Sequence, residues 1–151
     1  MRYDQLKAAY EQAKNAELAY WAELQRLVRR VRTDFAVYLG VSEDNWIPVG
    51  SSTLPTISIG ITNEKGEFEA RTEAQLPKNG RSIEFSLRLV FGGSLNSEPN
   101  PLVVFPLSIT EAGGGFPITV KSDPDEPEFN GPIHTQLFDD LFKRAMDSVT
   151  K

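Results

Sequence analysis

From Tyr3 to Leu39 the chain has neither glycine nor proline and is rich in Ala, Leu, Glu, Gln, Lys and Arg. Such residues lose little freedom in a helix, and Gly40 offers the left-handed position that commonly ends one. At about 1.5 Å per residue the predicted helix runs roughly 55 Å, longer than a small domain is wide. Heptad spacing places Tyr3, Tyr10, Glu17, Leu24, Val31 and Tyr38 at a, and Leu6, Ala13, Tyr20, Leu27 and Asp34 at d. In the first half the e positions are Lys7 and Lys14, so the apolar stripe is as narrow as a coiled-coil seam. In the second half they are Trp21, Val28 and Phe35, and the stripe widens to the face of a helix lying on a core. Residues 21–39 are therefore expected to pack on their own domain, and 1–20 to form a projecting helical arm.

Beyond Leu54 the period becomes two. Ile57, Ile59 and Ile61 alternate with Ser58, Gly60 and Thr62; Phe68, Ala70, Thr72, Ala74 and Leu76 alternate with charged and polar residues; Ile83, Phe85, Leu87, Leu89 and Phe91 repeat the pattern. Asn63–Gly66 and Pro77–Gly80 separate the runs with turn chemistry. Two further strands are expected over Leu102–Ile109 and Phe116–Val120, where Pro106 and Pro117 suit an edge or a bulge. Gly92–Pro101 and the acidic, proline-rich Ser122–Pro132 read as loops. Ile133, Leu137, Phe138, Leu141, Phe142, Ala145 and Val149 recur at helical spacing. Connections this short preclude parallel crossovers. The expected fold is α+β, one domain over 1–151: a long N-terminal helix, a five-stranded antiparallel meander, and a C-terminal amphipathic helix packed with residues 21–39 on one sheet face.

Composition narrows the chemistry. In 151 residues there is no cysteine and a single histidine, His134, which excludes disulfides, thiol nucleophiles and multi-histidine metal sites. No apolar run is long enough to span a bilayer. The amino terminus lacks the apolar core of a signal peptide, so a cytoplasmic location is expected. Charge is uneven: residues 1–40 carry 7 Lys and Arg against 5 Asp and Glu, net +2, whereas 41–151 carry 9 against 16, net −7.

Candidate sites divide unevenly between chemistry and contact. His134 titrates near neutrality, but Asp139 and Asp140 lie off its i+3/i+4 face, and an exposed or capping histidine is expected. The carboxylates of Asp123–Gly131 miss the calcium-loop pattern, because Pro127 and Glu128 stand where a ligand and a glycine are needed. Gly113–Gly115 and Gly92–Ser94 lack the Lys-Ser/Thr and the helix of a phosphate loop. Arg26, Arg29 and Arg30 share a helix face that is solvated or meets a partner. Tyr3, Leu6, Tyr10, Ala13 and Tyr20 form an aromatic-rich stripe of the kind interfaces favour. The expectation is a non-enzymatic protein-binding module of inhibitor, chaperone or adaptor type, working as a homodimer, with these eight residues as its partner-binding set. No catalytic or metal-ligating residue and no cofactor are expected. The partner is another protein of basic character or a second copy; membrane and nucleic acid are not expected. The alternatives are a small-ligand carrier or enzyme with a pocket between sheet and helices, and a regulator touching nucleic acid through Arg26–Arg32.

Overall fold

The computed structural model describes residues 1–42, 44–94, 96, 99–122, 125–131 and 133–150. Its first element, α1 (Arg2–Leu39), is a single unbroken helix. Gly40 ends it at φ 77°, donating its amide back to the last turn, a conformation that costs glycine nothing and other residues much.

A hairpin of β1 (Trp46–Val49) and β2 (Ser52–Pro55) follows. Then come β3 (Ile57–Thr62), β4 (Phe68–Ala70), β5 (Lys78–Asn79), β6 (Ser82–Val90), β7 (Leu102–Ile109), β8 (Ile118–Val120), β9 (Glu128–Phe129) and the closing helix α2 (Thr135–Val149). Strands β3 to β9 form one antiparallel sheet of order β4-β3-β6-β7-β8-β9, with β5 also paired to β6. The α+β class and both helices stand as expected; the sheet has seven strands, not five, and is not a simple meander. The run 67–76 does not form one strand beside β6. It gives three strand residues, then a 3-10 turn at Glu73–Gln75, closed by a capping box between Thr72 and Gln75. β6 therefore pairs directly with β3, and β4 becomes the edge.

Register sets the core. Ile57 faces Leu89, Ile59 faces Leu87, Leu87 faces Phe105, Phe85 faces Leu107, and Ile109 faces Ile118. Because strand side chains alternate, these rows share one face. Leu24, Val28, Val31 and Phe35 of α1 and Leu137, Phe138 and Leu141 of α2 cover it in a single buried cluster. Each fully buried Leu or Phe contributes about 1.5–3 kcal/mol. Among the described residues no helix is long and apolar enough to cross a membrane.

Candidate functional site

Two surfaces stand out, one at each end of α1. The first is the arm: every residue from Met1 to Ala19 is exposed. Tyr3, Leu6 and Tyr10 are 72%, 70% and 63% exposed, and Ala13 continues their stripe. A helix turns once in 3.6 residues, so positions 18 apart lie on one face, about five turns from each other. Leu6 thus aligns with Leu24, Tyr10 with Val28 and Ala13 with Val31. The three partners in the second half are fully buried. The arm repeats the spacing of the core-facing surface with nothing beneath it.

A collar of polar contacts marks where the helix leaves the body. The Tyr20 hydroxyl donates to the Arg81 carbonyl and accepts the Glu111 amide. The Arg81 guanidinium lies 3.8 Å from the Tyr20 ring centre and pairs with Glu17. Lys78 stands 4.9 Å from the Trp21 ring centre, and Trp21 donates its indole N–H to Glu17. Tyr20 therefore belongs to the body, apart from Tyr3, Leu6, Tyr10 and Ala13.

The arginines do not join the arm either. Arg26 pairs with Glu23, Arg29 with Glu73 across to the 3-10 turn, and Arg30 with Asp34. Arg32 donates to the Ile57 carbonyl. The cluster that looks basic in sequence is compensated within the chain, and exposed pairs of this kind contribute little.

The second surface is an apolar groove of about 320 Å³ at the carboxyl end of α1. Leu39, Val41, Ile47, Leu89, Ala145 and Val149 line it, with Phe91, Phe142 and Met146 at its mouth. Phe91, Phe142 and Met146 are 42–45% exposed, and Trp46 beside Ile47 is 58% exposed. Asn45 and Thr56 are its polar lining residues, and they bond to each other, the Asn45 amide donating to the Thr56 hydroxyl at 3.0 Å. Small-molecule sites usually hold free polar groups that orient the ligand; this lining spends its own. The groove lies between sheet and helices, where a carrier's pocket is expected, but its chemistry suits apolar side chains. Sequence reasoning missed it: Phe91 continues the alternation of Ile83 to Leu89 and Phe142 the helical spacing of Leu137 to Leu141, so both read as core residues, and the fold leaves them half-exposed.

His134 is neither exposed nor capping. It precedes α2, but its side chain makes no cap hydrogen bond, and the residue is 6% exposed. A Cβ on Gly131 would lie 2.8 Å from the His134 ring, so only glycine leaves room for it there. Phe138 meets the ring edge-on, and Nδ1 is buried without a partner. Burial lowers the imidazole's pKa; Asp34 opposes this and Arg30 adds to it. Tyr38 nearby donates to the Asp139 carboxylate, which raises the phenol's pKa. His134, Asp34, Arg30 and Tyr38 line one pocket of about 310 Å³, a grouping across two helices that sequence spacing alone does not show.

Of the acidic segment, Asp123, Pro124 and Pro132 lie outside the described residues, while Glu128 and Phe129 form β9. Among the described residues no three His, Asp or Glu side chains gather as metal ligands would. Gly113–Gly115 connects β7 to β8, with Ala112 and Gly115 bridged. Comparison of the chain with protein-family models, with curated proteins and with solved structures returned no match.

Proposed function

We propose that the protein is a non-enzymatic protein-binding module that works by surface complementarity, with the arm as its docking element. The observation that carries this reading is the exposed stripe of Tyr3, Leu6, Tyr10 and Ala13 on a helix anchored by its own core. Monomers seldom expose a contiguous apolar surface without a use for it, and tyrosine is prominent among residues that dominate binding. The i, i+3, i+7 spacing of Tyr3, Leu6 and Tyr10 is that of a helix entering a groove.

Amide hydrogen exchange of residues 2–16 tests the reading. In dilute pure protein these amides should exchange within the time of a frayed helix, because no tertiary contact protects them. In concentrated protein or native host extract they should slow by at least about tenfold, the effect of a bound fraction near nine-tenths. Equal exchange in all three conditions overturns the reading. A Leu6→Glu, Tyr10→Glu variant should abolish the slowing and leave exchange in the sheet unchanged.

A further inference from the structure

We infer that the arm of one copy docks in the apolar groove of a second copy, an inference that rests on the docking role of the arm. Chemistry, charge and placement support it. The groove's 320 Å³ is about twice the volume of a cavity that takes up benzene, so a tyrosine ring can enter beside a leucine. Phe91, Phe142 and Met146, half-exposed in its lining, match the apolar anchors Tyr3, Leu6 and Tyr10.

The charges agree. Leu39 ends α1 and Val149 ends α2, so the carboxyl ends of both helices border the groove, and neither has a basic residue in its last turn. Asp147 lies in the last turn of α2, and Asp44 follows α1. Lys143 and Arg144 also neighbour lining residues, but Arg144 is held by Asp140. The groove thus carries the partial negative charge of two helix ends. The tip of the arm brings the opposite: the positive end of α1, with Arg2 and Lys7 against Asp4 alone in its first ten residues.

Two arms do not suit each other in the same way. Arg2, Lys7 and Lys14 flank the Tyr3–Leu6–Tyr10 stripe at the g and e positions. A seam between two arms would set these cations against one another, where paired helices usually place opposite charges. The groove avoids that conflict. Arm and groove lie at opposite ends of α1, so two antiparallel copies can each seat an arm in the other's groove, whereas a one-way docking leaves one arm and one groove free for further copies.

Complementation between two variants of the full-length protein tests this directly. Leu6→Glu with Tyr10→Glu removes the arm's anchors. Met146→Arg fills the groove mouth with a cation, at a helix end where a cation favours the fold. Circular dichroism checks that each remains folded, and Met146→Ala replaces Met146→Arg should the latter unfold. The wild-type mass, read by sedimentation, should rise with concentration, levelling at two copies where the exchange is reciprocal and passing two where it is one-way. Each variant alone should weaken self-association by about tenfold or more. Mixed, they should form a 1:1 complex and nothing larger, because one supplies the groove and the other the arm.

Three results would overturn the proposal. If the groove variant self-associates like wild type while the arm variant does not, the arm meets another surface; its docking role survives and the groove is removed. If wild type stays monomeric at millimolar concentration, a second copy is excluded, and amide exchange in host extract decides the arm's role. If purified protein carries a small apolar molecule whose loss accompanies Met146→Arg, the groove is a ligand site.

Discussion

Leu6 and Leu24 are the same residue on the same helical face, about five turns apart, and their surroundings could hardly differ more. Leu24 is wholly buried under the sheet; Leu6 is 70% exposed. The difference lies in what the rest of the chain supplies. Residues 21–39 meet β3, β6 and α2, whereas residues 1–19 extend past the Gly80–Arg81 turn and the β7–β8 connection, where the sheet ends. An amphipathic pattern states which face of a helix is apolar; whether that face is covered depends on tertiary structure, or on another molecule.

The sharpest way to break this comparison is to truncate both leucines. Leu24→Ala should cost about 2–5 kcal/mol, as core leucines do, and Leu6→Ala should stay within about 0.5 kcal/mol in dilute protein, both read by denaturant unfolding. Comparable losses would mean that the arm is packed in the monomer. Tyr20→Phe probes the boundary, where removing the hydroxyl leaves the Arg81 carbonyl with the Thr110 hydroxyl alone and frees the Glu111 amide. A loss of about 0.5–1.5 kcal/mol is expected, and no loss would place the collar nearer Leu24 than described.

Acid separates the regions by another route. Burial lowers the His134 pKa below its ordinary 6.5, so the unfolded chain takes up the proton more readily. Stability should then be full above pH 6.5 and fall as pH drops toward the lowered native value. A His134→Gln variant should flatten that part of the profile, while exchange in the arm ignores the change. A profile equally steep in the variant would assign the acid sensitivity to carboxylates. Smallest of all, Arg29→Ala, which breaks the pair with Glu73, should cost between zero and about 1 kcal/mol, less in high salt.

Much of the body is legible from residue order because one-faced elements advertise themselves. The alternation of Ile57 and Ile59, and of Ile83 to Leu89, survives as paired rows, while Ile61 faces Glu69 of β4. The same rule misleads at 67–76, where Thr72 and Gln75 close a capping box; local hydrogen bonds there outcompete the ladder. The β1–β2 hairpin hides behind Pro48 and Pro55, residues that argue against strands. Of the site, the arm is legible, since its stripe belongs to one continuous segment. The groove is not: Leu39, Ile47, Phe91 and Met146 come from four separate parts of the chain and meet only after folding. The ion pair of Arg29 with Glu73 and the burial of His134 stay hidden for the same reason.

The unbroken backbone between Ala19 and Leu24 has a mechanical consequence. A continuous helix transmits rotation, so the azimuth of the arm's stripe about its axis is set by residue count alone. One residue inserted at the collar would swing Tyr3, Leu6 and Tyr10 by about 100° and carry them away from the side the sheet occupies. Whatever the arm grips is thereby held in fixed angular phase with the body, as a key's teeth are with its bow.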